Sequence, residues 1–267
     1  RLCIMVYVQN EYNQLKRVIL GIGYNIKKKA DTTLVENLPP TSDKYKNPSS
    51  EQTESELSRV KHALSQYGVT VDRPVAVDSP KLSDQTCPRD IGFVIDSLYF
   101  KAQSCFESRN IEHEGIDSLL HDIPKDQFIT IPPGLFLEGG DVVLGENAIF
   151  VGLGCRSNRE AIDWLSTKLK ERKIDRELII IPHKVLHLDC CWNVIDSDVA
   201  LWCGEVTDNF MKYSGGTYKI NINTVNISLP EQKALATNVL ALGKRRILAR
   251  DNYLLIIYGQ LFNTNYF

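Results

Sequence analysis

Several things that would assign a protein to a class are scarce in this 267-residue sequence. Charge of one sign is not in excess: 31 Lys and Arg face 33 Asp and Glu, for a formal net charge of -2. Without a basic field, neither a nucleic acid nor an anionic membrane surface suits it as a partner. Apolar runs such as Leu178–Pro182 and Leu254–Tyr258 fall far short of the roughly 20 residues that a bilayer-crossing helix requires. No CxxC and no HExxH occurs, so no metal and no cofactor is expected from motif spacing. GLGCRS and GIGYN are Gly-rich fragments, but neither completes a dinucleotide or phosphate loop. Cysteine numbers only seven, odd and scattered in a chain too long to need staples, which favours a reduced, cytoplasmic protein. No secretory leader is legible, and RLCIMVYVQN reads as a fold element or a cut end. What remains is a small-molecule substrate or a protein partner, with a homodimer left open.

What the sequence does have is repetition. IGFVIDSLYFKA, DVVLGENAIFVG, WNVIDSDVALWC and NVLALGKRRILA each read as strand, polar turn, strand. They start at Ile91, Asp141, Trp192 and Asn238, a spacing of about fifty residues, and a fifth copy is expected near Gln14. Helical stretches lie between them. In residues 157–172, Ala161, Ile162, Leu165 and Leu169 share one face, with Ser157 and Glu160 as an expected capping box. Residues 55–68 repeat the idea, with Gly68 as the stop. Strands follow the helices in VTVDRPV, ELIIIP and TVNIS. Modules of helix, strand and hairpin predict one mixed α/β domain over 1–267, closed around an axis. The Pro/Ser/Lys-rich stretch 38–54 reads as a surface loop.

Chemistry gathers just ahead of three hairpins, in CPRD (87–90), LEGGD (137–141) and HLD (187–189). Each module thereby brings carboxylates to a similar point: Asp90, Asp141 with Glu138, and Asp189 beside His187. A turn by itself needs neither a histidine nor a second acid. Carboxylates gathered without a metal spacing suit a planar guanidinium, whose donors form a fixed fork. His187 is then a general acid/base, and Glu138 the group that orients its imidazole. His113 and His183 are expected on surfaces or strand ends, and Trp164 in helix packing.

These stretches, together with Arg109-x-x-Glu112 and VGLGCRSN, resemble the guanidine-modifying superfamily. That group includes glycine amidinotransferase, dimethylarginine dimethylaminohydrolase and arginine deiminase. The resemblance runs in order from NEYNQLKRVILG to LATNVLALG. It implies a five-bladed α/β propeller of ββαβ modules with pseudo-fivefold symmetry, whose last module looks incomplete here. It also implies His187 as the catalytic histidine with Glu138 as its acid. Asp90 and Asp189 would clasp the substrate guanidinium, and Arg109 and Arg156 would hold the substrate's carboxylate end, with Asp141 in support. The implied chemistry is attack of a cysteine thiolate on a guanidinium carbon, resolved by an amine in a transferase or by water in a hydrolase.

One part of the family pattern is missing. The family's nucleophile lies in a Gly-rich segment after the fifth hairpin, and here no cysteine follows Cys203. Either that segment is not included or the protein is an inactive guanidino-binding homologue. If HLDCC were a strand, alternation would put His187, Asp189 and Cys191 on one face. Cys190 and Cys191 nonetheless read as small buried hydrophobes, and Cys87 and Cys155 as the weaker candidates for a reactive thiol. A metal-dependent hydrolase built on His187, Asp189 and nearby cysteines is the remaining reading.

Overall fold

The computed structural model describes residues 6–24, 49–249 and 265–266. Strand β1 (Arg17–Ile19) lies parallel to β2 (Thr70–Asp72), with helix α1 (Ser50–Gln66) between them in the chain. Strands β3 (Gly92–Ile95) and β4 (Leu98–Lys101) form a hairpin; α2 (Glu107–Glu112) and α3 (Asp117–Leu120) then lead to β5 (Phe128–Thr130), parallel to β4. The next module repeats this order. Hairpin β6 (Val142–Leu144) and β7 (Ala148–Leu153) is followed by α4 (Arg159–Glu171) and by β8 (Glu177–Pro182), parallel to β7. A parallel neighbour cannot be reached by a tight turn, so each module needs its crossover.

The third hairpin, β9 (Trp192–Asp196) and β10 (Val199–Trp202), departs from the expected plan. Its crossover carries no α-helix: β11 (Met211–Lys212) pairs with the edge of β8, and the chain then reaches β12 (Asn223–Asn226), parallel to β10. This stretch has no apolar stripe at helical spacing, and Gly215 and Gly216 both take positive φ. Helix α5 (Leu229–Lys233), closed by a Ser228/Glu231 capping box, precedes hairpin β13 (Leu240–Gly243) and β14 (Arg246–Ala249). Strand β15 (Asn265–Tyr266) is parallel to β14, so the last module does have a third strand. The described strands therefore make five small sheets in a mixed α/β fold.

Other expectations shift by a few residues. The segment near Gln14 is not a hairpin copy among the described residues, because β1 takes a parallel partner and Leu15 N donates to Leu242 O. The surface stretch expected over 38–54 is already helical from Ser50, since the Ser49 side chain caps α1. Glu54 is buried there against Arg73, at 2.8 and 2.9 Å, and accepts from Gly23 N. Residues 38–48 lie outside the described residues. At α4 the cap is Asn158, which accepts from Ala161 N, and not Ser157. Gly68 takes φ +74, the left-handed stop read after α1.

Two apolar clusters hold the hairpins in place. One surrounds Trp192, which is fully buried between Phe150 and Phe210. The other packs α4 on β6, β7 and β8 through Ala161, Ile162, Leu165 and Leu169, with Trp164 edge-on to Phe100. Truncating a fully buried leucine removes apolar contact and leaves a cavity. Leu165→Ala should cost about 2–5 kcal/mol in urea denaturation, whereas Glu160→Ala, on the exposed side of α4, should stay within about 0.5 kcal/mol.

Candidate active site

The polar groups ahead of the hairpins sit on a recurring turn, not on strands. Asp90 N donates to Cys87 O (3.2 Å), Asp141 N to Glu138 O (3.0 Å), Cys190 N to His187 O (3.1 Å) and Asn238 N to Leu235 O (3.1 Å). Each turn runs into the first strand of its hairpin one or two residues later. In this register Glu138 and His187 are equivalent, as are Asp90 and Asp141, while Asp189 falls one position earlier. The alternation expected for HLDCC is therefore overturned: His187 is extended, Leu188–Cys190 form a 3-10 turn, and β9 begins at Trp192. A turn redirects each side chain, so Cys191 does not follow His187 and Asp189. It is fully buried with Trp192 in the core.

Two equivalent turns bring His187 and Glu138 into contact. His187 Nε2 lies 2.8 Å from Glu138 Oε2, and His187 Nδ1 lies 3.7 Å from Asp90 Oδ1. His187 and Glu138 are 3% and 1% exposed, so water does little to screen them. The approach requires glycine: a Cβ on Gly140 would stand 2.7 Å from the His187 ring and 2.8 Å from Asp90 Oδ1. Of the two glycines of LEGGD, Gly140 lets the backbone pass against the imidazole, and Gly139 lets it pass against the Arg89 backbone, whose carbonyl oxygen would lie 2.0 Å from a Cβ there. Burial opposes a charge on His187, but the hydrogen bond to Glu138 and the fields of Asp90, Asp141 and Asp189 outweigh it and raise its pKa to about 9. Burial likewise works against the Glu138 carboxylate, yet His187, Arg156 and Ser104 hold it below its usual range.

The arginines occupy themselves with these acids. Arg156 Nη1 donates to both Glu138 oxygens, at 3.1 and 3.3 Å, with its guanidinium over the Phe106 ring. Arg109 bridges Asp90 (3.0 Å) and Glu112 (3.2 Å). Arg89 Nε donates to Asp189 Oδ2 at 3.0 Å and its two terminal nitrogens reach Glu11. The sequence reading placed Arg109 and Arg156 at the far end of a bound molecule; in this structure both are counter-ions of the protein's own acids. The physical reason is that clustered acids repel unless cations stand between them. Burial still lifts the Asp189 carboxyl above its usual range despite Arg89, and burial raises Glu112 to about 9.

Asp141 is set apart. It is fully buried and accepts from His183 Nε2 (3.0 Å), from Leu188 N (2.8 Å) and from Ser157 Oγ. Burial alone would raise its pKa, but His183, His187 and Ser157 hold it down. His183 and His113, read as surface or strand-end groups, are both buried, His113 against Tyr99 at 2.9 Å. Sequence reasoning also passed over Ser104 and Arg89. The first carries no motif, and the second stands inside CPRD, next to an acid that takes the eye.

None of the described cysteines has the lowered pKa of an activated thiol. Protein packed around Cys87, with the Asp90 charge, pushes it up to about 12, although its side chain is reachable from solvent. Burial raises Cys190 and Cys191 further, and also raises Cys105, Cys155 and Cys203. As for a metal, ligand atoms of Asp90, Glu138 and His187 lie within 4.8 Å of one another. The ring, however, offers its two nitrogens to the two different acids, and Glu138 is already taken by Arg156 and Ser104.

With this geometry in hand, comparison with known proteins is informative. Residues 128–260 match the arginine deiminase family model, a span that includes the turns of Glu138 and His187. This match agrees with the resemblance to the guanidine-modifying superfamily read from the sequence. The chain's fold is shared with an amidinotransferase of the saxitoxin biosynthetic pathway from Microseira wollei (TM-score 0.75, 18% identity, covering 98% of this chain and 90% of that one). Inosamine-phosphate amidinotransferase from Streptomyces griseus gives TM-score 0.74 at 16% identity, covering 98% and 90%. DDAH from Pseudomonas aeruginosa, complexed with citrulline, gives 0.71 at 17%, covering 95% and 92%. In sequence, the Bacillus subtilis protein YkgA is 29% identical over 195 residues, 72% of this chain and 64% of its own length. A protein from Aeropyrum pernix is 29% identical over 151 residues, 55% of this chain and 50% of its own. The chain thus spans less than two thirds of the length of these two relatives.

The state of His187 can be tested directly. Its folded pKa of about 9 lies above the unfolded value of about 6.5. The stabilisation is therefore complete below about pH 6.5 and is lost as pH rises through about 9. Glu138→Gln removes the main opposing charge and leaves burial dominant. An NMR titration of the His187 ring in that variant should give a pKa below about 6.5.

Proposed function

We propose that this protein is an amidinotransferase-type enzyme that acts on arginine or a related guanidino compound. The reading is carried by the buried His187–Glu138 pair beside Asp90, an acid/base group whose proton is held by a carboxylate. Five small sheets, four of them carrying a hairpin, fit the blades of a single α/β propeller, with the turns of Asp90, Glu138 and His187 around its axis. In this reading Asp90 and Asp189 receive the substrate guanidinium, which competes with Arg109 and Arg89 for them. A planar cation replacing another planar cation keeps the acids neutralised throughout. Arg156, drawn toward Glu138, keeps that acid ionised beside His187, and Asp141 supports the turn.

Chemistry follows from a thiolate. Its sulfur forms a bond to the guanidinium carbon, the carbon–nitrogen bond to the leaving amine breaks, and protonated His187 supplies the proton that amine needs. A second amine then takes the amidino group, or water hydrolyses it, and the thiolate returns. A histidine with a pKa of about 9 is charged at neutral pH and suits the acid step. The cysteines described here all have raised pKa values, so none of them is assigned as that thiolate. The same observation favours a second reading, an inactive homologue that binds guanidino compounds without turning them over.

Incubation with arginine distinguishes these. Formation of ornithine with an acceptor amine, or of citrulline with water, supports the enzyme; saturable arginine binding in calorimetry without product supports the inactive homologue. Activity lost to a chelator and restored by zinc would instead favour a metal hydrolase. In an active protein, His187→Ala should abolish turnover while sparing arginine binding. Asp90→Ala should weaken both, by about 2–5 kcal/mol for loss of a charge-assisted contact. Full activity of His187→Ala would sink the assignment.

A further inference from the structure

We propose that His183 is a positioning residue: it fixes Asp141, and through Asp141 the turn that carries His187 and Asp189. The inference rests on the reading of His187 as the acid/base group. His183 stands just past β8, where its N–H donates to Leu153 O and its backbone bridges to Thr207. Its side chain and that of Asp141 are both fully out of solvent. A carboxylate only accepts, so the 3.0 Å contact to Asp141 Oδ1 places a proton on His183 Nε2. The other nitrogen, Nδ1, is buried with no hydrogen-bond partner among the described residues. The ring therefore makes one bond, and that bond goes to Asp141.

Asp141 Oδ1 accepts at the same time from Leu188 N at 2.8 Å. Leu188 opens the 3-10 turn, and the first N–H groups of a turn have no partner within it. Asp141 thus caps the turn that sets His187 on one side and Asp189 on the other. Ser157 Oγ holds the second oxygen, so the carboxylate is pinned at both ends. The loss of the expected helix cap at Ser157 has its explanation here, since the hydroxyl is engaged by Asp141.

Packing alone does not explain a histidine at this position. An apolar residue of similar size would fill the space without the cost of burying a nitrogen that lacks a partner. The space is also made for a ring. A Cβ on Gly152 would lie 2.6 Å from both His183 Nε2 and Asp141 Oδ1, and a Cβ on Gly154 would strike the imidazole. Both glycines belong to the exit of β7, so β7 leaves a slot that the end of β8 fills. Without the donor, buried Asp141 gains protonation or rotates away, Leu188 N loses its acceptor, and His187 shifts against Glu138.

The test compares His183→Gln, whose amide can reach Asp141, with His183→Leu and with His183→Asn, whose amide stops short of it. The readout is the pKa of the His187 ring by NMR titration in the substrate-free protein, with circular dichroism and thermal melting as the check on folding. His183→Leu and His183→Asn should each lower that pKa by about one unit or more, and His183→Gln should restore most of it. If turnover is present, kcat should fall about tenfold or more in the first two with KM within about twofold, and Gln should recover it. A folded Leu or Asn variant with an unchanged His187 titration overturns the proposal, as does a Gln variant no better than Leu. Should Leu fail to fold, the Asn and Gln pair decides. Absence of turnover in the unaltered protein would count against the enzymatic reading alone, because the titration needs no substrate.

Discussion

Buried carboxylates remain charged only where donors meet them, and much of this site is arranged around that requirement. Glu138 is met by His187, Arg156 and Ser104, and Asp141 by His183, Leu188 N and Ser157. Asp90 and Asp189 take Arg109 and Arg89. Remove one donor and an acid is left out of water with uncompensated charge, which costs far more than a surface ion pair contributes. The acids, the histidines and the arginines therefore stand or fall as a network, and its members come from several modules of the chain.

The fold makes such a network possible by repetition. A short turn closed by one backbone hydrogen bond precedes four hairpins, and the three that carry polar side chains deliver them at nearly the same place. Apolar hairpin strands behind the turns, packed around Trp192 and against α4, supply rigidity. Glycines at 140, 152 and 154 let backbone approach rings closely where any side chain would intervene. A rigid frame with polar turns at its rim is a sound basis for holding a proton at a chosen atom, because neither acid nor ring can relax away. It is also why a histidine can keep a pKa of about 9 while nearly excluded from water.

Much of this was legible in the sequence, and what was missed follows a pattern. CPRD, LEGGD and HLD pointed to a shared site because a turn has no need of their acids and histidine. The hairpins were readable from alternating apolar runs and turn residues, and the helices from their apolar faces. Side-chain partners were not. Arg89 and Asp189 are a hundred residues apart, and Arg156 reaches Glu138 across the whole β6–β7 hairpin, so no spacing announces either pair. Ser157 read as a helix cap because local pattern favours it there, yet a buried acid in space competes for the same hydroxyl.

The sequence by itself determined the α/β plan, the repeating hairpins, the family resemblance and the identity of the acids and histidine, since these depend on local periodicity and residue chemistry. Only the tertiary structure decided that HLDCC is a turn, that Arg109 and Arg156 neutralise the protein's own carboxylates, and that His183 is buried on Asp141. The reason is physical: backbone pattern is a short-range property, whereas the partner of a charge is chosen by distance and burial after the chain has folded.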